Sequence, residues 1–353
     1  MKFDYDDITL VPAETSKIRS RYQTIKLKYG EPYNRLMTAP MDTVCNDIKS
    51  AKQFKQYHID VVLPRYTTHK RGFQLRNNNF TFSITLSQLY QMLSSDFETI
   101  STYDNLKLKR TDKFCLDVAN GHLEHVISGI KNFKQKFPHR KLIVGNIGNP
   151  QTYRILSKTK ADAIRVGIGA GSGCLTSEQT SIYYPMASLV KECYDVKKEL
   201  EAKKLHTPKI IADGGIRKYA DIIKALNLGA DYVMIGGLFN KMAESSPQAY
   251  LFKWFPISKR TSKIWYQDIP IYKKFRGMST KEVQRENDKK NVRTSEGIVK
   301  YNRIKYDLNS WLENFNHYLR SAMSYCNSED LDDFIGKQNY IKISNQAYKR
   351  FNK

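Results

Sequence analysis

The 353-residue sequence lacks the features that mark secreted proteins, membrane proteins and structural zinc sites. Its five cysteines include no Cys-x-x-Cys pair, which argues against a disulfide framework or a zinc site and favours a reducing compartment. No apolar run reaches the roughly 18 residues that a membrane span needs. The opening segment, Met1–Asp7, is acidic rather than apolar, so no signal peptide is expected. We therefore expect a cytoplasmic protein.

Acidic residues are fewer than basic ones. The chain has 35 Asp and Glu residues and 58 Lys and Arg residues, which gives a formal net charge of +23. Such a charge suits nucleic acids, anionic membranes or phosphorylated small molecules. The lysines are spread along the chain, however, and no nucleic-acid motif stands out. We expect neither a nucleic-acid nor a membrane partner, because an A/T-rich genome would produce the same composition. Attraction for phosphate ligands would follow as a by-product.

Eight short apolar segments recur along the chain, and segments of helical period lie between them. Most are continuous apolar runs, typical of parallel strands that are covered on both faces. Helical period is clear in His122–Phe137 and in Tyr219–Leu228, after which Gly229 is placed to cap the helix. The sequence predicts an α/β fold, a (β/α)8 TIM barrel that forms one domain over residues 1–353. The eight segments are Arg35–Thr43, Ile59–Tyr66, Phe80–Leu86, Phe114–Ala119, Lys141–Ile147, Ala161–Gly167, Lys209–Asp213 and Asp231–Gly237.

Polar residues and glycines stand at the carboxyl ends of these predicted strands, where barrel enzymes keep their chemistry. Glycine pairs follow the last two strands, as Gly214 with Gly215 and Gly236 with Gly237. Backbone N–H groups at such pairs can meet an anion without side-chain interference, so they predict a phosphate site. Ordinary tight turns are the alternative explanation.

A glycine-rich loop ends at Cys174. Glycine alternates with other residues from Gly167 to Gly173, which frees the backbone for positive φ and for close approach to a ligand. The loop follows a predicted strand and precedes a helical pattern that begins near Pro185. This arrangement is typical of an active site with a cysteine nucleophile, although a flexible turn with an incidental cysteine fits the local pattern as well.

Residues 240–300, here called the flap, carry many charges and aromatic rings without a clear period. A long excursion after the last strand suits a mobile segment that covers the barrel mouth. Helical spacing resumes at Leu308 and continues through Leu319, which predicts a closing helix.

Nearly the whole chain resembles the IMP dehydrogenase and GMP reductase family. The resemblance is carried by the opening segment, the cysteine loop and several strand ends, namely Phe3–Pro12, Ala39–Val44, Leu116–His122, Val144–Gly148, Arg165–Thr176, Ala212–Arg217 and Val233–Gly237. Two features favour the reductase branch. Only 52 positions separate Arg65 from Asp117, too few for the dehydrogenase's regulatory insert. The flap has no Arg-Tyr pair, and Arg293–Gly297 is similar to the reductase's Arg-x-Ser-Glu-Gly segment.

The resemblance implies reductive deamination of GMP to IMP with NADPH, through a covalent bond to Cys174 and proton transfer by Thr176 and Glu296. The implied substrate contacts are Asp213, Gly214, Gly215, Gly236, Gly237, Gly277, Met278, Ser279, Arg293, Ser295 and Gly297. The implied NADPH contacts are Ser20, Arg21, Arg65, Asp117, Val118, Ala119, Ile168, Gly169, Ser321 and Ser324, some of them from a neighbouring subunit of a homotetramer. A potassium ion is implied at Gly169, Gly171, Cys174 and Ser177.

Several positions depart from the family pattern, among them Gly173, Leu175 and Ser177 in the cysteine loop and Asn240 and Lys241 after the last strand. They leave two alternatives open beside the reductase. One is an IMP dehydrogenase without its regulatory insert. The other is a catalytically silent protein that binds purine nucleotides.

Overall fold

The computed structural model describes residues 1–24, 34–65, 79–94, 99–100, 106–107, 113–286 and 294–351. Eight parallel strands form one sheet in the order β1-β8-β7-β6-β5-β4-β3-β2. Seven lie within one of the eight predicted segments and β4 begins one residue before its segment, at Lys113, so the predicted barrel is confirmed. The strands are β1 Leu36–Thr38, β2 Val62–Leu63, β3 Thr81–Ile84, β4 Lys113–Asp117, β5 Lys141–Ile147, β6 Ala163–Val166, β7 Lys209–Asp213 and β8 Tyr232–Ile235.

The first and last strands of this order meet through Asp60, which closes the sheet into a barrel. The Asp60 N–H donates to the Leu36 carbonyl at 2.9 Å, and the Asp60 carbonyl accepts from the Thr38 N–H at 2.9 Å. Successive residues of a strand face opposite sides of the sheet. One set fills the barrel interior, including Met37, Cys115 and Met234. The other set packs beneath the surrounding helices.

The helices begin where the sequence supplies caps. Asn149 accepts from the Gln151 N–H and Pro150 occupies the first turn of the next helix, while Asp307 accepts from the Ser310 N–H. The helices are Ile48–Gln56, Leu86–Ser94, Glu124–Lys136, Pro150–Ser157, Thr176–Thr180, Met186–Ala202, Tyr219–Asn227, Gly237–Asn240, Lys259–Trp265, Lys281–Glu286, Leu308–Tyr325, Leu331–Phe334 and Asn345–Phe351. Short 3-10 turns span Tyr5–Asp7 and Arg21–Gln23. Among the described residues, we find no helix that is both long enough and apolar enough to cross a membrane.

The flap contains a four-stranded antiparallel sheet. Its strands are β9 Ala249–Leu251, β10 Phe255–Ile257, β11 Ile271–Arg276 and β12 Val299–Arg303, in the order β10-β9-β11-β12. These strands are short, and β12 alternates between exposed and half-buried positions without a buried one, which explains why no apolar period appears in the sequence. Two further strand pairs lie outside the barrel, Ile8–Leu10 with Tyr340–Lys342 and Thr99–Ile100 with Leu106–Lys107.

Candidate active site

The carboxyl ends of the barrel strands surround a cavity of about 610 Å³. Most of the residues singled out from the sequence meet there. They include Asp117, Val118, Ala119, Gly169, Gly171, Cys174, Ser177, Asp213, Gly214, Gly215, Gly236, Gly237, Gly277, Met278 and Ser279. The cavity therefore joins the strand-end residues, the cysteine loop and the base of the flap in one space, as a ligand site at this face of a barrel requires.

Arg165 of β6 organises the floor of this cavity, and sequence reasoning missed it. Its guanidinium is 2.7 Å from Asp117 Oδ1 and 2.8 Å from Asp213 Oδ2, so one cation joins the ends of β4 and β7. Asn146 adds a hydrogen bond from Nδ2 to Asp213 Oδ2 at 2.8 Å, and Arg65 lies 3.0 Å from Asp117 Oδ2. The available signal was a single charged residue within an apolar strand, since buried arginines are normally paired.

The charges in this cluster stabilise one another. Burial alone would lower the pKa of Arg165, but the carboxylates of Asp213 and Asp117 outweigh burial and hold that pKa above its ordinary value. Burial likewise opposes ionisation of Asp117, but Arg165 and Arg65 keep the pKa of Asp117 below its ordinary value. The floor of the cavity is therefore a fixed arrangement of ionised groups.

The cysteine loop is held against the glycine pair that follows β7. Gly169 and Gly215 have φ values of 76° and 73°, in the left-handed region that favours glycine. The Gly215 N–H donates to the Ala170 carbonyl at 2.9 Å, and a Cβ at Gly214 would lie 2.9 Å from Ala170 Cβ. Only glycine allows this contact, which fixes the loop across the mouth of the barrel.

A directed chain of hydrogen bonds connects Cys174 to the flap. The Cys174 thiol donates to Thr176 Oγ1 at 3.2 Å, and the Thr176 hydroxyl donates to Glu296 Oε2 at 2.7 Å. All three residues had been singled out from the sequence as catalytic. The chain can carry a proton from the thiol towards the carboxylate, because each donor in it faces the next acceptor.

Backbone hydrogen bonds hold Glu296 in place. The Leu175 N–H donates to the Glu296 carbonyl at 2.7 Å, and the Ile298 N–H donates to the Gly173 carbonyl at 3.1 Å. The cysteine loop and the flap thus pair as a short antiparallel bridge between Cys174 and Gly297. Ser295 belongs to the same segment and donates from Oγ to the Gly297 carbonyl at 2.8 Å. Arg293, predicted to act beside it, lies outside the described residues.

The flap is also tied to the rim of the barrel through Arg276, which precedes the predicted purine-contacting turn. Arg276 Nε donates to Asp42 Oδ2 at 3.0 Å, and Nη1 donates to Glu286 Oε1 at 2.7 Å. The hydrogen bonds that Arg276 donates to Glu286 and Asp42 raise the pKa of Arg276 above its ordinary value, against the effect of burial. Gly277, Met278 and Ser279 thereby face the cavity from a fixed base.

Asn240 is one of the departures from the family pattern, and its hydrogen bonds account for an amide at this position. Its buried amide donates from Nδ2 to the carbonyls of Thr43 at 2.7 Å and Lys274 at 3.0 Å, and its Oδ1 accepts from Asn302 Nδ2 at 2.8 Å. These contacts join the segment after β1, the segment after β8 and two flap strands. A small apolar residue at this position could make none of these hydrogen bonds.

The glycine pair after β8 lies beside Ser172, another residue that sequence reasoning did not single out. A Cβ at Gly237 would collide with the Ser172 hydroxyl and would lie 3.7 Å from the Phe275 ring. Gly237, Ser172 and Phe275 all line the cavity and lie close together, and the part of the cavity beside them is here called the glycine pocket.

The residues predicted to contact NADPH fall into two groups. Asp117, Val118 and Ala119 line the cavity, and Arg65 is paired with Asp117. Ile168 packs against Gly148, since a Cβ at Gly148 would lie 3.3 Å from Ile168 Cδ1. The second group comprises Ser20, Arg21, Ser321 and Ser324. Ser20 caps the turn Arg21–Gln23, and the Ser324 carbonyl accepts from Ser16 Oγ at 2.8 Å, so this group lies beside the closing helix Leu308–Tyr325 rather than among the described residues that line the cavity.

The residues predicted to hold potassium are close together in the cysteine loop. Ser177 Oγ donates to the Gly169 carbonyl at 2.9 Å, and the Cys174 N–H donates to the Gly171 carbonyl at 2.9 Å. Each carbonyl retains a second lone pair, so the donor chemistry fits a hard cation. Within the described ranges, no group of three or more His, Cys, Asp or Glu side chains is arranged around a common metal position.

The fold and the cavity together define a (β/α)8-barrel enzyme with a cysteine loop in its candidate active site. The family model for the IMP dehydrogenase / GMP reductase domain matches residues 91–351, and the chain belongs to this family. A GMP reductase of Oceanobacillus iheyensis is 31% identical over 356 residues, covering 98% of this chain and 97% of that protein. A GMP reductase of Staphylococcus carnosus is 29% identical over 353 residues, covering 98% of each chain. GMP reductase 2 of Homo sapiens is 27% identical over 359 residues, covering 98% of this chain and 96% of that protein.

Proposed function

We propose that this protein is an NADPH-dependent GMP reductase. The reaction converts GMP, NADPH and two protons into IMP, NADP⁺ and ammonium. The observation that carries the proposal is the directed chain from Cys174 through Thr176 to Glu296. The protein is similar over 98% of its length to proteins named GMP reductase, and this similarity supports the same reaction.

Substrate binding is assigned to the cavity floor, the glycine pocket and the flap turn. All three hydrogen bonds that described residues make to the Asp213 carboxylate end on Oδ2, so Oδ1 is left to accept from a ribose hydroxyl. Backbone amides at Gly236 and Gly237 would meet the phosphate, and Gly215, whose N–H already donates to the Ala170 carbonyl, would lie beside it without a Cβ in the way. The purine would contact Gly277, Met278 and Ser279, and Arg293, Ser295 and Gly297 would close over it.

The chemistry begins with proton transfer out of the Cys174 thiol. A free thiol is mostly protonated at neutral pH. The hydrogen bonds from Cys174 to Thr176 and from Thr176 to Glu296 supply a path for its proton to the carboxylate. The thiolate then forms a bond to C2 of the purine. Glu296, now protonated, returns the proton through Thr176 to the amino group at C2, which leaves as ammonia. One carboxylate thus serves first as base and then as acid.

The second half of the reaction needs a nicotinamide cofactor, which, when bound, supplies hydride to C2. As that carbon accepts hydride, its bond to Cys174 breaks and IMP is released. Asp117, Val118, Ala119, Ile168 and Gly169 would orient the nicotinamide, and Arg65 would hold the Asp117 carboxylate. We assign Ser20, Arg21, Ser321 and Ser324 to the cofactor site of a neighbouring subunit in a homotetramer, because in their own chain they lie beside the closing helix.

Potassium is assigned to the carbonyls of Gly169, Gly171 and Cys174 and to the Ser177 hydroxyl. Its role would be to hold the cysteine loop in place. The five cysteines are all unpaired thiols, and a thiol nucleophile must stay reduced, so we assign the protein to the cytoplasm.

The deciding experiment follows absorbance at the NADPH band in two mixtures. The first contains GMP and NADPH, and the second contains IMP and NAD⁺. We expect turnover in the first mixture only. Turnover confined to the second would indicate an IMP dehydrogenase, and nucleotide binding without turnover in either would indicate a silent nucleotide-binding protein.

A further inference from the structure

Lys300 of β12 places its ammonium group against the glycine pocket. Its Nζ donates to the Ser172 carbonyl at 3.0 Å and lies 5.3 Å from the centroid of the Phe275 ring. Ser172 and Phe275 are two of the three residues that bound the pocket. The ammonium is therefore in direct contact with the walls of the space where the phosphate is assigned.

The Lys300 ammonium has more N–H donors than the described residues provide acceptors for. A lysine carries three N–H donors, and the described residues provide one hydrogen-bond acceptor for them, the Ser172 carbonyl. The ring of Phe275 adds an electrostatic contact that orients the cation without occupying a donor. Lys300 does not itself line the cavity, so its two remaining donors would reach an anion held against Ser172 and Phe275, which do.

The surroundings of Lys300 are cationic. The Lys305 N–H donates to the Lys241 carbonyl at 3.0 Å, which brings these two lysines onto adjacent backbone, and Lys241 directly follows the short helix that begins at Gly237. Burial, together with the charges of Lys305 and Lys300, lowers the pKa of Lys241. Within the described part of the chain, none of these three lysines forms an ion pair, so their charge is directed at no acidic side chain there.

We propose that Lys300 binds the 5′-phosphate of the purine nucleotide and selects a phosphomonoester over the unphosphorylated nucleoside. The inference rests on the proposed function, since that function assigns the phosphate to the glycine pocket. A phosphomonoester carries nearly two negative charges at neutral pH, which a lysine meets as a point charge. The backbone amides of Gly236 and Gly237 fix the position of the phosphate, and Lys300 supplies the charge that they lack.

The test compares Lys300→Met with Lys305→Met, which removes the same charge from the same segment but no contact with Ser172. Dissociation constants for GMP and for guanosine are measured by calorimetry, and thermal unfolding verifies that both variants are folded. Because Lys300→Met removes a charge-assisted hydrogen bond to the phosphate, we expect it to weaken GMP binding about tenfold or more. Guanosine binding should stay unchanged, and Lys305→Met should leave both affinities near wild type.

Three results would overturn the assignment in different ways. GMP binding by Lys300→Met at wild-type strength would remove Lys300 from the phosphate site and leave the proposed function intact. Equal loss of GMP and guanosine binding would mean that Lys300 only holds the flap in place. A wild-type protein that binds GMP no better than guanosine would refute the phosphate site itself, and the proposed function with it.

Discussion

The floor of the cavity and its reacting edge are built in opposite ways. The floor is a cluster of charges centred on Arg165, which is only 5% exposed, with half-buried carboxylates at the ends of barrel strands. The reacting edge is a chain of three side chains that starts in the cysteine loop and ends on Glu296, an exposed residue of the flap. The difference indicates that the barrel fixes the floor of the proposed substrate site, whereas the proposed proton transfer depends on the position of the flap.

Cys174→Ala should separate the two regions most completely. The substitution removes the nucleophile and leaves the floor and the glycine pocket untouched, so we expect turnover to be lost while GMP still binds. Steady-state assays and calorimetry measure the two properties. Cys326→Ala is the control, because Cys326 is buried at the end of the closing helix, and it should retain turnover. More than a few per cent of activity in Cys174→Ala would show that another group is the nucleophile.

Arg165→Met should damage the floor. It leaves the half-buried carboxylates of Asp117 and Asp213 without their shared buried cation, and breaking a buried ion pair typically costs about 3–5 kcal/mol of unfolding free energy. Chemical denaturation measures the loss. The matched control is Arg154→Met, whose ion pair with Glu199 is exposed on the surface and contributes about 1 kcal/mol or less. Equal, small losses in both variants would mean that the floor is not a stabilising cluster.

Gly237→Asp should weaken binding without touching the reacting edge. A carboxylate at this position repels the phosphate and blocks the approach of the backbone, so GMP affinity should fall by about tenfold or more. Gly237→Ala is the control, since it adds the same Cβ and the same collision with the Ser172 hydroxyl without the charge, so that the difference between the two variants reports the charge alone. If a folded Gly237→Asp protein binds GMP as the wild type does, the phosphate must lie elsewhere.

The sequence predicts the floor and the edge unequally well. The eight strands, the glycine pairs and Cys174 follow from local patterns, because apolar runs and glycines report on their own surroundings. Arg165 was missed because its partners, Asp117 and Asp213, lie on other strands and no local pattern connects the three. Asn240 stood out as a departure, but its hydrogen bonds to Thr43, Lys274 and Asn302 depend on tertiary contacts.

The flap shows a second limit of sequence reasoning. Its strands are three to six residues long, too short for a period to emerge. The pairing of Cys174 with Gly297 joins segments that are far apart in the chain, and only the family resemblance suggested Glu296 as a catalytic residue. The physical reason for that role, a hydroxyl relay of 3.2 Å and 2.7 Å, appears only in three dimensions.

The most direct test of the division between binding and chemistry is rapid mixing of Glu296→Gln in both half-reactions. Glutamine keeps the size and hydrogen bonding of Glu296 but cannot transfer the proton. Release of ammonia from GMP should slow by about 10²–10⁴, the usual effect of losing a general acid. The hydride step, run backward from IMP and NADP⁺, should be affected far less. Equal slowing of both steps would contradict the account, since Glu296 would then only position the flap.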